Sequence, residues 1–252
     1  MFTVGNLACG FGSIITSSAG RAAVGDQYYI ALKNAVWLIV LAAFFDFLDG
    51  LVARLSKSYS RFGVELDSLS DIVSFSVAPA ALLVNFSLVS HSYWSWILAF
   101  VFLMAGSFRL ARFNLSATLE KKINFVGLPV PSAAIVIISY VLFCIEAWGE
   151  IRFEKFFIIV ILATSVLMVS TIEFEAMPKF DFTQPKNRIK VLMLFGSTVA
   201  IMINASLVIF PIAMLYIIYG IGRLFISLLW GDESKIRPKL TRIPKKDHKQ
   251  EG

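Results

Sequence analysis

The sequence has few of the residues on which secreted scaffolds and many soluble enzymes depend. Its 252 residues include only 2 cysteines and 2 histidines. Cys9 and Cys144 both lie in apolar runs and form no CxxC pair, which excludes a disulfide framework and a thiol-based metal or redox site. His91 and His248 provide almost no material for a zinc site or a catalytic His triad. Any metal is therefore expected to be bound by oxygen atoms.

Charge is also scarce. Charged residues make up 16% of the chain, against roughly 25% in an average soluble domain. Hydrophobic residues make up 58%, including 23 Phe. A single domain of this length cannot bury that many apolar side chains in one core, so lipid is expected to cover the rest. The composition predicts a polytopic integral membrane protein.

Apolar runs of about 20 residues predict membrane-spanning helices. The fold class predicted here is an all-α, polytopic helical bundle of about eight transmembrane helices. The runs lie near residues 3–20, 28–53, 64–88, 93–113, 129–147, 155–172, 190–208 and 210–230. The first run is too short and polar for a clean span, and it lacks the basic segment of a cleaved signal peptide. Asn204 and Pro211 favour a tight hairpin between the last two runs, with one long kinked segment as the alternative.

The distribution of Lys and Arg predicts the orientation of the bundle. Eighteen of these residues flank one set of span ends or lie in the tail, whereas four lie on the other side. We therefore expect a multi-pass protein of the cell membrane with both termini in the cytoplasm. Residues 1–230 would form the membrane domain, and residues 231–252 a disordered basic tail near anionic lipids. The basic residues flank spans without forming an aromatic-interleaved groove, so no nucleic-acid partner is expected.

Carboxylates are costly inside a span and rank as functional candidates. The second run ends with Asp46-Phe47-Leu48-Asp49-Gly50-Leu51-Val52-Ala53-Arg54, and the third begins with Gly63-Val64-Glu65-Leu66-Asp67-Ser68-Leu69-Ser70-Asp71. Helical periodicity places Asp46, Asp49, Gly50 and Ala53 on one face, and Gly63, Asp67 and Asp71 on another. The connection between the runs is short, so the two helices should be antiparallel neighbours. Four carboxylates then meet near one membrane interface.

Four clustered negative charges require compensation, and the nearby basic residues are too few to neutralise them all. Oxygen ligands favour Mg²⁺, Mn²⁺ or Ca²⁺, and a pair of such ions is usual in phosphoryl and pyrophosphate chemistry. Gly50 and Gly63 would allow a nucleotide or phosphate close to the backbone, or would serve helix packing. A cation transporter that uses the acids as its pathway is the alternative from another class.

The spacing Asp46-x-x-Asp49-Gly50-x-x-Ala53-Arg54, eight residues, Gly63-x-x-x-Asp67-x-x-x-Asp71 resembles without a departure the signature of the CDP-alcohol phosphatidyltransferase family. The resemblance implies a membrane enzyme that transfers a phosphatidyl group from a CDP-linked lipid to an alcohol and releases CMP. It also implies a homodimer among membrane lipids, and a divalent metal cofactor, Mg²⁺ or Mn²⁺, with two ions.

The resemblance also implies roles for individual residues. Asp46, Asp49, Asp67 and Asp71 would bind metal, and Asp71 would in addition be the catalytic general base. The CDP-lipid would contact Asn6, Gly50, Ala53, Arg54 and Gly63. Asn6 has an alternative interpretation as an ordinary helix N-cap.

Further segments are similar to the branch of the family that uses serine as acceptor. They are Gly5–Gly10, Val64–Phe75, Arg109–Asn114 and Gly127–Pro131. CDP-diacylglycerol and L-serine are accordingly the expected substrates, with glycerol 3-phosphate or inositol phosphate as alternative acceptors. Ser76 departs from this branch, which usually has Gly there, and its side chain could narrow the pocket.

Arg109 and Arg112 are candidates for binding the acceptor carboxylate or a lipid phosphate. They are three residues apart on one helical face, and a guanidinium matches either anion with two hydrogen bonds. Their alternative interpretation is simple positive-inside anchoring.

Overall fold

The computed structural model describes residues 2–56, 60–86, 92–119, 127–170, 204–220 and 222, and these ranges are helical with short connections. No strand occurs in them, which confirms the all-α prediction. The helices are α1 (Phe2–Gly20), α2 (Asp26–Ser56), α3 (Arg61–Ile72), a π-helical segment (Val73–Val77), α4 (Ala78–Asn85), α5 (Ser92–Leu119), α6 (Val130–Trp148), α7 (Glu154–Val169) and α8 (Asn204–Gly220).

Four helices in the described ranges are long and apolar enough to cross a membrane. They are Asp26–Ser56, Phe62–Asn85, Tyr93–Leu115 and Val130–Trp148. They correspond to the second, third, fourth and fifth predicted runs. α7 and α8 are apolar but shorter, with 16 and 17 residues. A count of about eight spans is therefore not confirmed, and residues 171–203 and 223–252, with the predicted tail, lie outside the described part of the chain.

The first apolar run forms a 19-residue helix with two different faces. Its buried face is small and mostly polar, and it packs along α2 and against α3, the π-helical segment and α4. The buried residues are Thr3, Asn6, Cys9, Gly10, Ser13, Ser17 and Gly20. The opposite face exposes large side chains, including Phe11 and Ile15. Because its small side chains point inward, α1 approaches its neighbours closely, as small residues allow in membrane helices.

The third span contains a π-helical segment that the periodicity did not predict. Val73–Val77 forms this wider turn directly before Pro79, which lies at the start of α4. Proline lacks an N–H group, and its ring crowds the carbonyl four residues earlier, here that of Phe75. A π-helical turn accommodates this crowding without ending the helix. Ser74 and Ser76 on this segment are thereby turned into the bundle and are fully buried.

α6 is the most enclosed of the four candidate spans, because 67% of its 18-residue apolar stretch is buried inside the bundle. Pro129 and Pro131 flank its first residue, Val130, and a proline in the first turn suits a helix start because no intrahelical N–H bond is lost there. The helix ends at Gly149, whose φ of 74° is a left-handed conformation that glycine adopts without strain. Tyr140 stacks on Phe157 of α7, with ring centroids 4.7 Å apart.

The hairpin predicted between Asn204 and Pro211 is wrong. These residues belong to one continuous helix, α8. The side chain of Asn204 accepts a hydrogen bond from the backbone N–H of Leu207 at 3.2 Å, as an N-cap does. Residues 190–203, most of the seventh predicted run, lie outside the described part of the chain. Pro211 lies within the helix, as membrane helices tolerate when neighbouring groups satisfy the backbone.

Candidate metal centre

α2 and α3 bring the two halves of the carboxylate signature together. α2 ends at Ser56 and α3 begins at Arg61. The start of α3 is fixed by Ser60, whose Oγ accepts a hydrogen bond from the N–H of Gly63 at 3.0 Å. This is an N-cap, a contact typically worth about 1 kcal/mol to helix stability. It sets the helical phase that directs Asp67 and Asp71 towards α2.

Three of the four signature carboxylates meet in the bundle. One carboxylate oxygen from each of Asp46, Asp67 and Asp71 lies within 4.8 Å of the other two. All three side chains are half-buried. We call this group the carboxylate trio. Its members come from α2 and α3, so three of the four signature carboxylates meet as their spacing predicted.

The trio suits a divalent cation. Oxygens bound to one Mg²⁺ at about 2.1 Å are separated by no more than about 4 Å, so carboxylate oxygens within 4.8 Å of one another could reach one ion after a small inward movement. Asp67 Oδ1 is buried and has no hydrogen-bond partner among the described residues. Neither of the two ion pairs found in the described ranges involves the trio. Like charges without a cation repel, and a hard divalent ion would remove that repulsion.

Asp49 does not belong to the trio, although it shares the α2 face with Asp46. Its Oδ2 accepts a hydrogen bond from the hydroxyl of Thr3 on α1. Sequence reasoning did not single out Thr3. The signal that could have found it is the polar stripe of α1, where Thr3 and Asn6 are three residues apart on the face that also carries Gly10.

Asn6 lies in the wall of the site. It is fully buried inside α1, so the N-cap interpretation is wrong. Its Nδ2 donates a hydrogen bond to Asp71 Oδ1 at 3.1 Å, and its backbone carbonyl accepts one from Ser74 Oγ at 2.9 Å. Asn6 Oδ1 is buried and has no partner among the described residues, so it is the atom that a ligand could still contact.

The predicted CDP-lipid residues lie along the same two helices. A Cβ atom on Gly50 would meet nothing within 4 Å, so this glycine borders open space. Arg54 is exposed and Ala53 is half-buried one turn below Gly50. The start of α3 also favours glycine at position 63, because a Cβ there would lie 2.9 Å from Ser60 Oγ and disturb the N-cap.

The two candidate arginines of α5 have different surroundings. Arg109 is buried, its guanidinium lies 5.7 Å from the ring centroid of Phe113, and its Nε has no hydrogen-bond partner among the described residues. Its positive charge is close enough to interact electrostatically with Asp71. A buried guanidinium beside the trio is a suitable group for binding an anion.

Arg112 contacts the carboxyl end of α7. Its guanidinium donates hydrogen bonds to the carbonyls of Val169 at 2.9 Å and Ser170 at 3.0 Å. A cation at this end of a helix is favoured by the helix dipole. Gly127, with a φ of 85°, passes so close that a Cβ would lie 2.9 Å from the Arg112 guanidinium. The Gly127–Pro131 segment is itself joined to α7 by a backbone hydrogen bond, from the N–H of Leu128 to the carbonyl of Leu167 at 3.0 Å.

The carboxylates lie towards one end of the bundle. Asp46 and Asp49 are in the last third of α2, and Asp67 and Asp71 are in the first half of the helix Phe62–Asn85. A cation pathway would place such groups along the whole depth of the membrane. The fold and site therefore define an all-helical membrane protein with an oxygen-ligand centre at one end, the class expected for metal-dependent transfer chemistry on a lipid.

Comparison with known proteins agrees with this class. The family model for CDP-alcohol phosphatidyltransferase matches residues 1–172. The chain belongs to the CDP-alcohol phosphatidyltransferase family.

Two curated relatives are CDP-diacylglycerol–serine O-phosphatidyltransferases. The one from Helicobacter pylori is 33% identical over 88% of this chain and 89% of its own length. The one from Methanocaldococcus jannaschii is 36% identical over 75% of this chain and 84% of its own. An archaetidylserine synthase of Methanothermobacter thermautotrophicus is 36% identical over 67% of this chain and 68% of its own. These relatives extend the similarity beyond the signature helices.

Proposed function

We propose that this protein transfers the phosphatidyl group of CDP-diacylglycerol to the hydroxyl group of L-serine, giving phosphatidylserine and CMP. The observation that carries the proposal is the carboxylate trio, Asp46, Asp67 and Asp71, within the family signature. The serine acceptor is supported by the two relatives that are CDP-diacylglycerol–serine O-phosphatidyltransferases. It is also supported by the four segments that resemble the serine-using branch.

In this proposal the metal ligands are the trio together with Asp49, which would use the oxygen that Thr3 does not contact. Two divalent ions, Mg²⁺ or Mn²⁺, suit this set of oxygen donors. When bound, such ions supply charge neutralisation for the diphosphate and for the departing CMP. Open space beside Gly50 would admit the CDP group, with Ala53, Arg54 and Gly63 along its path and Asn6 Oδ1 facing it.

Asp71 is the proposed general base. It accepts the proton of the serine hydroxyl as that oxygen forms a bond to the phosphorus of the phosphatidyl group. The bond between this phosphorus and the bridging oxygen breaks, and CMP leaves with the electron pair. The hydrogen bond from Asn6 occupies one lone pair of Asp71 and leaves others for the proton.

Serine brings a carboxylate that requires a fixed cation. Arg109 is the better candidate of the two arginines, because its Nε is without a partner and its charge lies near Asp71. Arg112 already donates to carbonyls of α7. We therefore assign the serine carboxylate to Arg109, and we assign Arg112, one turn further along α5, to the contact with α7.

The decisive experiment is an acceptor screen with the purified protein in detergent. CMP release from CDP-diacylglycerol is measured with serine, glycerol 3-phosphate, inositol 1-phosphate or inositol, with divalent metal or with EDTA. We expect metal-dependent release that is fastest with serine. Faster release with glycerol 3-phosphate would refute the serine assignment, and release unchanged by EDTA would refute the metal centre.

The proposal includes placement in the cell membrane, with the site and both termini on the cytoplasmic side. The supporting observation is the asymmetry of Lys and Arg between the two sets of loops. A homodimer surrounded by membrane lipids is also proposed, on the resemblance to the family alone. Sedimentation of the detergent-solubilised protein would measure its mass and test the dimer.

A further inference from the structure

Two side chains of α1 reach carboxylates on two different helices. The hydroxyl of Thr3 donates to Asp49 on α2, and the amide of Asn6 donates to Asp71 on α3 at 3.1 Å. Thr3 and Asn6 are three residues apart, so they lie on one face of α1. One helix thus holds both halves of the signature by side-chain hydrogen bonds.

α1 is itself held firmly at this point. Ser74 Oγ donates to the carbonyl of Asn6 at 2.9 Å, and a Cβ on Gly10 would lie 2.7 Å from the Cα of Ser74. One turn further, Ser13 Oγ donates to the carbonyl of Ala35 on α2 at 2.7 Å. Thr3 and Asn6 are buried, with exposed fractions of 7% and 0%. The two donors therefore project from a tightly packed helix.

We propose that Thr3 and Asn6 are positioning residues that orient Asp49 and Asp71 for metal binding. This inference rests on the proposed function, which makes these two carboxylates ligands. A carboxylate has two oxygens, so a hydrogen bond to one fixes its rotation while the other remains available to a metal. Without the donors, repulsion among the neighbouring acids would rotate the carboxylates away from one another. Part of the metal-binding free energy would then be spent on reorienting them, and the metal would bind more weakly.

The test measures Mn²⁺ binding directly, in the absence of substrate. Free Mn²⁺ is followed by electron paramagnetic resonance as it is titrated into the purified, full-length protein in detergent. The variants are Thr3→Val, which keeps the shape and removes the hydroxyl, and Asn6→Leu, which removes the amide. Thr3→Ser restores a hydroxyl at the same position. Ser13→Ala is the matched control, because it removes a buried α1 hydrogen bond that ends on a backbone carbonyl and not on a carboxylate.

We expect Thr3→Val and Asn6→Leu to weaken Mn²⁺ binding by about 10- to 100-fold, the usual effect of losing a hydrogen bond to a metal ligand. Thr3→Ser and Ser13→Ala should bind Mn²⁺ like the parent protein. If Asn6→Leu does not fold, the pair Thr3→Val and Thr3→Ser decides the question. A normal Mn²⁺ affinity in Thr3→Val, or an equal loss in Ser13→Ala, would overturn the positioning role.

The parent protein and Asp67→Asn separate this outcome from failure of the proposed function. If the parent binds no Mn²⁺, or if Asp67→Asn binds it equally well, the metal centre itself is refuted and the positioning role with it. If the parent binds Mn²⁺, Asp67→Asn does not, and Thr3→Val binds normally, only the positioning role is refuted.

Discussion

The side chain of Ser76 fills the space that a methyl group on Gly106 would need. Ser76 lies on the π-helical segment, Gly106 lies on α5, and a Cβ on Gly106 would be 3.2 Å from the Cβ of Ser76 and still closer to its hydroxyl. Ser76 is fully buried, and its Oγ has no hydrogen-bond partner among the described residues. The residue that departs from the serine-using branch is thus accommodated by helix packing against α5.

This relationship predicts a compensating pair of substitutions. Gly106→Ala should destabilise the protein by about 1–3 kcal/mol, the usual effect of adding volume to a packed interior. Ser76→Gly should restore most of that loss in the double variant, because it removes the atoms with which the new methyl group collides. The thermal unfolding temperature of the detergent-solubilised protein measures both effects.

Gly12→Ala is the control for the Gly106 substitution. A Cβ on Gly12 would lie 3.6 Å from Leu38, an ordinary van der Waals distance, so this variant should unfold at nearly the parent temperature. Equal destabilisation of Gly106→Ala with and without Ser76→Gly would show that the two residues do not share one space.

Substitution should distinguish the carboxylates that only bind metal from the one that is also the general base. Asp46→Asn or Asp67→Asn should abolish metal-dependent CMP release, because each removes a charged oxygen ligand. Asp71→Asn should still bind CDP-lipid but lose turnover by roughly 10²- to 10⁴-fold, the range for a missing general base. Equilibrium binding and initial rates at saturating metal measure the two quantities. Near-normal turnover of Asp71→Asn would remove the base assignment.

Substitutions of the two arginines of α5 should have different effects, and Arg109 should affect serine binding. Arg109→Lys keeps the charge but loses the two-pronged guanidinium, and it should raise the serine KM by an amount equivalent to about 1–3 kcal/mol. Its effect on CDP-lipid affinity should be much smaller. Initial rates against serine concentration at fixed CDP-diacylglycerol provide the measurement, and an unchanged KM would exclude Arg109 from the acceptor site.

Arg112→Lys should act mainly on stability. A lysine cannot donate to several carbonyls of α7 with the fixed geometry of the guanidinium, so the unfolding temperature should fall. Sequence reasoning treated Arg112 and Arg109 alike, and the contacts with Val169 and Ser170 are what distinguish them. A raised serine KM in Arg112→Lys without loss of stability would return Arg112 to the acceptor site.

The proposed orientation predicts a labelling pattern. A cysteine introduced at Lys57 or Lys186 should be protected from an impermeant thiol reagent in right-side-out vesicles, and one at Arg152 should react. Cys9 and Cys144 are both buried, so their background labelling should be low. The opposite pattern would invert the topology.

Local periodicity was sufficient for the four long apolar helices and for three of the four signature carboxylates. Asp46, Asp67 and Asp71 could be placed together because helical faces follow from spacing alone and the link between α2 and α3 is short. The π-helical segment could not be foreseen from periodicity, since it results from the conflict between Pro79 and the carbonyl of Phe75. The contact between Asp49 and Thr3 could not be foreseen, because the two residues are 46 positions apart in the sequence.

Long-range partners explain the remaining differences. The contact between Arg112 and α7 joins residues 57 positions apart, and nothing in the Arg109–Asn114 segment indicates it. The hairpin at Asn204 and Pro211 was inferred from residues that break helices in water. In α8, Asn204 is at the start of the helix and Pro211 lies within it. An unpaired backbone group costs more free energy in a membrane than in water, which favours a continuous helix.

The polar inner face of α1 has a consequence for how the protein enters the bilayer. A segment that presents Thr3, Asn6, Ser13 and Ser17 on one side gains little from lipid on that side, and two of these side chains, Thr3 and Ser13, find their hydrogen-bond partners on α2. Residues 21–25 connect the two helices, so α2 is immediately available. Biogenesis should therefore deliver α1 and α2 together as one helical hairpin, and a truncated chain that stops before α2 should fail to integrate.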